Sequence, residues 1–195
     1  MALQLKFGKD HLDLDVSALS SSPTVLTGKH PPKLTDAAAC VVEAMAHPIG
    51  SGTIAEEVAR RGAHEAVIVV NDVTRPTPNH LMLPPILAQV EAAGIARNKI
   101  TLVVATGIHR GDTPEEMAAT LGADIVRNYR VVNHDCDDNA NLAYVGTLVH
   151  GTEFYVNKLV YEASMVITTG VIGPHYFAGF SGGRKSIFPG VSARK

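Results

Sequence analysis

The chain is 195 residues long, 46% hydrophobic and 18% charged, with a formal net charge of −2, an ordinary balance for a globular protein large enough to bury a full core. That charge leaves no footprint for nucleic acid or an anionic membrane surface, and no apolar run is long enough to cross a bilayer. The N-terminus, Met1-Ala2-Leu3-Gln4-Leu5-Lys6, alternates like a strand instead of opening as a cationic and then apolar signal, so one compact, cytoplasmic body is expected.

Leu3 to Phe7 and Leu12 to Val16 alternate with period two around Gly8-Lys9-Asp10, which predicts an N-terminal β-hairpin. A Ser-rich linker at Ser20 to Ser22 and a short strand near Val25-Leu26 follow. Lys33 to His47 has apolar residues at helical spacing, with Thr35 or Asp36 as the N-cap and Pro48 as the stop. Thr53-Ile54-Ala55-Glu56 fits a capping box that opens a second helix to about Arg61, closed by Gly62. Cys40, in the first of these helices, and Cys136, in an acidic loop, have neither metal-site spacing nor the density of a disulfide framework, so both are expected as free thiols.

Glu65 to Asp72 holds four consecutive β-branched residues and reads as a buried parallel strand. Its outgoing loop, Asp72-Val73-Thr74-Arg75-Pro76-Thr77-Pro78, is stiffened by two prolines, and Pro76 biases Arg75 away from helical φ/ψ. A guanidinium fixed at a sheet edge suits a carboxylate or a phosphate. Asp72 taken alone is as compatible with an Asx-turn as with a functional role. A helix is expected within Leu81 to Ala93, starting at Pro84-Pro85 and ended by Gly94. Lys99 to Ala105 is the next central strand, opening into Thr106-Gly107-Ile108-His109-Arg110-Gly111-Asp112, and Thr113-Pro114-Glu115-Glu116 starts a helix that Gly122 closes. Arg130 to Val132 reads as a short strand, Tyr144 to Val149 and Thr152 to Val156 as a second hairpin, and Lys158 to Ala163 as a connecting helix.

Ser164 to Gly170 is another buried strand, and it delivers Gly173-Pro174-His175-Tyr176-Phe177-Ala178-Gly179-Phe180-Ser181-Gly182-Gly183-Arg184-Lys185-Ser186. The fold class is therefore α/β, a mostly parallel, doubly wound-like sheet with an N-terminal β-hairpin appendage. Three strands bring Asp72 and Arg75, His109 and Arg110, and His175 and Lys185 to the carboxyl edge, where open α/β sheets bind ligands.

His109 and His175 lie just past separate strand ends, each near glycine, and are the acid–base candidates. His11, His30, His47, His64, His80 and His150 fall in turns, helix ends or linkers and are read as structural, and His134 as part of a loop network. Lys185 follows two glycines and precedes Ile187-Phe188-Pro189, a setting that can desolvate an amine and make it nucleophilic. The stretch is not a P-loop. Five residues on from Gly179 stands Arg184 where that motif needs glycine, and no GxGxxG occurs.

Asp72-Val73-Thr74-Arg75-Pro76, Gly107-Ile108-His109-Arg110, and Gly173-Pro174-His175 with Ser181-Gly182-Gly183-Arg184-Lys185 together resemble the lactate racemase family, racemases and epimerases that use a nickel-pincer nucleotide. The resemblance spans the whole chain as the cofactor-bearing N-terminal domain, 1–195, of a larger two-domain enzyme. It implies that Lys185 carries the cofactor as a thioamide adduct, and that His109 and His175 are acid–base groups on opposite faces of a 2-hydroxy acid. It implies that Asp72, Thr74 and Arg75 hold cofactor, with Arg75 also gripping substrate. The chemistry implied is racemisation or epimerisation by proton-coupled hydride transfer, through a planar keto acid. In the family a further histidine, beyond the position of Lys195, completes square-planar nickel coordination, and a C-terminal domain of the same protein closes the site. The expectation is thus an N-terminal fragment with no racemase activity of its own. Two other classes fit the residues without the resemblance: a phosphate-ester or sugar-acid enzyme using Arg75, Arg184 and Lys185 with the two histidines, and a non-catalytic ligand-binding domain.

Overall fold

In the computed structural model the described residues are 2–17, 24–26, 28 and 32–194, and the chain divides into two compact units, 1–35 and 36–195. In the first unit, β1 (Ala2–Phe7) and β2 (Asp10–Asp15) form the expected antiparallel hairpin, with Leu3 opposite Leu14 and Leu5 opposite Leu12. Gly8 takes φ +62°, which its turn position demands. The strand expected near Val25-Leu26 does not form: Thr24 to Leu26 pair with no strand among the described residues. The Ser-rich linker and His30 lie outside the described residues.

The second unit is built on four parallel strands, β3 (Ala66–Asn71), β4 (Ile100–Ala105), β5 (Arg130–Asn133) and β8 (Met165–Thr168), in the order β5-β4-β3-β8. Helix α1 (Ala37–Ala46) starts from Asp36, one of the two N-caps expected, whose side chain accepts from the Ala39 amide and sets the first turn. Helix α2 (Ile54–Arg61) has the expected capping box, reciprocal between Thr53 and Glu56, and ends at Gly62 with φ +60°. Helix α4 (Pro114–Leu121) repeats that box with Thr113 and Glu116, and α5 (Ala123–Asn128) follows Gly122.

Helix α3 (Asn79–Ala92) corrects the sequence expectation, for it begins five residues before Pro84 and carries Pro84-Pro85 inside. An interior proline costs about 3 kcal/mol or more through its lost N–H and its clash. Leu83, Ile86, Leu87 and Val90 of the same helix are buried, and each contributes on the order of 1.5–3 kcal/mol, enough together to offset both prolines.

One sheet face packs Ile68, Val70, Leu102 and Val104 against Val58, Leu83, Leu87, Val90 and Leu121 from the helices. The other packs Val67, Val69, Val103 and Ala105 against Val160 of α6 (Lys158–Glu162) and Val191. The antiparallel pair β6 (Leu142–Thr147) and β7 (Glu153–Asn157) precedes α6, close to the predicted hairpin. Both cysteines are free, Cys40 exposed and Cys136 buried. Among the described residues no helix is long and apolar enough to cross a membrane.

From β3 the chain steps through β4 to β5 and then returns to place β8 on the far side of β3. The loops leaving β3 and β8 therefore diverge, and a crevice opens at their carboxyl ends.

Candidate active site

A cavity of about 470 Å³ occupies this crevice, within the range of small-molecule sites. Asp72 and Arg75 reach it from β3, Gly107 and His109 from β4, and His175, Ser181 and Lys185 from the segment after β8. The predicted convergence of three loops on one edge is thus what the fold produces.

The Asp72 carboxylate is 4% exposed and is used on both sides. Oδ1 accepts from the Thr74 amide at 3.2 Å and from the Thr74 hydroxyl at 2.6 Å, while Oδ2 lies 2.5 Å from Nδ1 of His109. The Asx-turn and the functional contact coexist on one side chain. Since an ionised carboxylate only accepts, the His109 ring presents Nδ1–H to it and leaves Nε2 as the free basic nitrogen. His109 itself is 44% exposed, open to a reactant. Thr74 is not on the cavity wall; its hydroxyl donates to Asp72 and accepts from Nη1 of Arg75 at 2.9 Å. Arg75 lines the cavity and makes no salt bridge among the described residues.

His175 sits in a two-residue strand, β9 (Pro174–His175), paired with β10 (Gly179–Phe180). Its Nδ1 accepts from the amides of Phe177 at 3.3 Å and Ala178 at 3.2 Å. The neutral ring therefore carries its proton on Nε2, the opposite tautomer to His109. Lys185 lies in a 3₁₀ turn over Gly183–Ser186, half-buried, with its amide donating to the Gly182 carbonyl. Gly182 has φ +75°, and a Cβ there would lie 3.0 Å from the Val171 carbonyl oxygen, so only glycine permits this approach of the two segments. Gly190 closes the turn by donating to the Lys185 carbonyl, and its own carbonyl accepts from Gly107.

Two cations placed at this edge from sequence are not on the wall. Arg110 forms a two-pronged pair with Glu116, at 2.7 and 2.6 Å, and Arg184 is exposed away from the cavity. The phosphate-ester alternative therefore keeps only Arg75 and Lys185 of its three cations. His134 is the buried loop-network residue expected: Nε2 donates to the Ser192 carbonyl at 2.9 Å, and Nδ1 faces the Asn157 amide nitrogen at 3.3 Å. Burial lowers its pKa below the usual value of 6.5.

Sequence reasoning missed Asp112, which is buried and accepts from the Val73 amide at 3.0 Å. It also missed Asn71, on the cavity wall with its Oδ1 accepting from Thr77. A polar residue closing β3, and an acid in the loop that leaves β4, were the signals available. Among the described residues one metal-type cluster occurs, Asp135-Cys136-Asp137, away from the cavity. There Arg194 already grips Asp137, and burial pushes the Cys136 thiol pKa up.

Residues 7–195 match the lactate racemase N-terminal domain family. The chain is 40% identical over 153 residues to a lactate racemase of Thermoanaerobacterium thermosaccharolyticum, covering 78% of this chain and 35% of that protein. It is 41% identical over 155 residues to a lactate racemase of Lactiplantibacillus plantarum, covering 80% and 36%. The solved lactate racemase apoprotein from T. thermosaccharolyticum superposes with a TM-score of 0.85 at 34% identity, over 99% of this chain and 44% of that one. A crystal structure of a protein from Thermotoga maritima superposes at 0.64 with 25% identity, over 80% and 38%. The chain spans about a third of the length of the curated relatives it matches.

Proposed function

The chain belongs to the lactate racemase N-terminal domain family, and we propose that it is the cofactor-bearing domain of a 2-hydroxy acid racemase or epimerase. The observation that carries this is one cavity wall holding two histidines of opposite tautomer, an arginine without a salt-bridge partner among the described residues, and a half-buried lysine.

The wall also suits a nickel-pincer nucleotide. Lys185 offers an amine able to form an amide-type linkage, in a cavity of about 470 Å³, and Gly182 keeps the backbone beside it free of a Cβ that would close the approach. Lys185 would hold the group and Arg75 would flank it. When bound, it supplies reversible hydride acceptance, which no amino-acid side chain provides.

The chain's own residues handle binding and protons. The Arg75 guanidinium can grip the substrate carboxylate bidentately. His109, through Nε2, takes the hydroxyl proton, and the imidazolium that forms is stabilised by the Asp72 carboxylate at its other nitrogen. In the arrangement described the neutral His175 ring offers Nε2–H as a hydrogen-bond donor but cannot give that proton up, since its loss would leave an imidazolate. To exchange a proton in either direction, its ring must turn, or Nδ1 must release the Phe177 and Ala178 amides, so that it can pass between neutral and imidazolium forms. Phe177 and Ile108 on the cavity wall, and Tyr176 beside them, are large apolar side chains left exposed. Such a rim suits a covering domain, which we assign to the C-terminal part of the same protein.

The test is the intact mass of the full-length gene product, co-expressed with the pincer-making enzymes and supplied with nickel, followed by peptide mapping. A stable adduct on the Lys185 peptide and interconversion of 2-hydroxy acid enantiomers are expected. An unmodified Lys185, in folded protein from cells that demonstrably make the cofactor, would overturn the proposal.

A further inference from the structure

Asp112 is a buried carboxylate that the proton chemistry above does not use. It stands three residues after His109 on the loop between β4 and α4, and it is 6% exposed. Its Oδ2 accepts from the amide of Val73, the residue directly after Asp72, at 3.0 Å. Its backbone is held from a third strand, because the Asp112 amide donates to Oδ1 of Asn133 at 3.0 Å and its carbonyl accepts from Nδ2 of Asn133 at 2.9 Å. Asn133 is the last residue of β5. Gly111 makes room for this clamp, since a Cβ there would lie 2.7 Å from Nδ2 of Asn133. One residue thus ties together the ends of β3, β4 and β5.

We propose that Asp112 is a positioning residue that fixes the loop carrying Asp72 against the loop carrying His109 and so sets the contact between them. This rests on the acid–base role proposed above for His109. The two loops share few other ties. The turn after β3 is closed on itself by Thr74 and by the Arg75 amide donating to the Asp72 carbonyl, and the β4 loop by the His109 amide donating to the Thr106 carbonyl. Beyond the β3–β4 ladder, which ends at Asn71 and Ala105, removal of the Val73 contact would leave the Asp72–His109 hydrogen bond itself to hold the two loops in register. The arrangement is kept at a cost. Arg110, the nearest cation in sequence, is committed to Glu116, so burial and the neighbouring Asp72 charge push the Asp112 pKa up. A folded-state pKa above the unfolded one stabilises only at low pH, and that contribution is lost as pH rises through the folded value. Asp112→Asn should therefore fold at least as well at neutral pH.

The experiment compares Asp112→Ala and Asp112→Asn in the full-length, cofactor-loaded protein. Misplacing a catalytic group by about 1 Å can cost on the order of 100-fold, so Asp112→Ala should lower kcat roughly 10- to 100-fold with KM little changed. Asp112→Asn keeps an acceptor for Val73 and should restore most of the rate. A second reading, independent of turnover, comes from two-bond ¹H–¹⁵N imidazole spectra of the apoprotein, with His109 assigned by its loss in His109→Gln. Wild type and Asp112→Asn should show the Nδ1–H tautomer, and Asp112→Ala a mixture. If Asp112→Ala does not fold, Asn133→Ala releases the clamp from its other side and should shift the same resonances. An unchanged His109 tautomer in the folded variant overturns the inference whether or not the protein proves to be a racemase. A shifted tautomer in a protein with no racemase activity supports it and refutes only the assigned chemistry.

Discussion

Nδ1 of the half-exposed His109 lies 2.5 Å from Oδ2 of the buried Asp72, and the other oxygen of that carboxylate is held by the hydroxyl and amide of Thr74. The pair selects one tautomer and aims the free nitrogen at the cavity. Asp72→Asn offers an amide that can turn its NH₂ toward the ring and favour the other tautomer. In the full-length enzyme this should lower kcat by roughly 10²- to 10⁴-fold, with a much smaller change in KM. Steady-state racemisation kinetics checks it; a KM effect alone would mean that Asp72 binds substrate instead of orienting His109.

His175 and Lys185 share the cavity wall, and under the proposed function they do different work. His175→Ala should cost roughly 10²- to 10⁴-fold in turnover while leaving the mass adduct on Lys185 intact. Lys185→Arg should remove the adduct and all activity, because a guanidinium keeps the charge without the nucleophilic amine. Mass spectrometry and kinetics on the same two preparations separate proton transfer from cofactor attachment. Loss of the adduct in His175→Ala would place His175 in cofactor binding.

Gly190 should tolerate no side chain. A Cβ there would press on the carbonyl oxygen of Ser186 and lie 2.8 Å from that of Lys185, both of them backbone atoms that cannot swing aside. Gly190→Ala is expected to destabilise the protein by roughly 1–3 kcal/mol, as other overpacked sites do, and to reduce adduct formation at Lys185. Thermal unfolding and intact mass report the two effects, and an unchanged melting temperature would show that the turn relaxes freely.

The capping boxes, the β-branched strands and the strand-end histidines are local signals, and each was legible because its cause lies within a few residues. Asp72 with His109, Val73 with Asp112 and Asp112 with Asn133 are partners 37, 39 and 21 residues apart. Such pairs exist only after the strands have set their loops side by side, so periodicity could bring the loops to one edge without saying which side chains would be spent on each other. Arg110 shows the same limit at short range, since Glu116 lies only six residues away but also fits the helix-start pattern at Thr113, which gives no sign of a second partner. The prolines of α3 misled for a different reason: the burial of Leu83, Ile86, Leu87 and Val90 overrides a local preference that a sequence reads as a boundary.

His134 gives the fold a pH dependence whose sign can be worked out. Burial lowers its pKa from the usual 6.5, and the hydrogen bonds fit the neutral ring, with Nε2–H donating to Ser192 and Nδ1 facing the Asn157 amide. Roughly a pH unit or more above 6.5 both folded and unfolded forms are neutral, and the contribution is fully present. As pH falls below 6.5 toward the lower folded value, the unfolded chain binds a proton that the folded one does not, so stability falls. Urea midpoints should therefore drop between roughly pH 7.5 and 5.5, a window set by the unperturbed histidine value. His134→Gln should start lower, having lost the buried contacts, but should drop less over the same interval. The His134 ring resonances of the folded protein should also titrate below the usual histidine value. Equal slopes in the two proteins, with a His134 midpoint at or above the unperturbed histidine value, would mean that the ring is not held neutral by its burial.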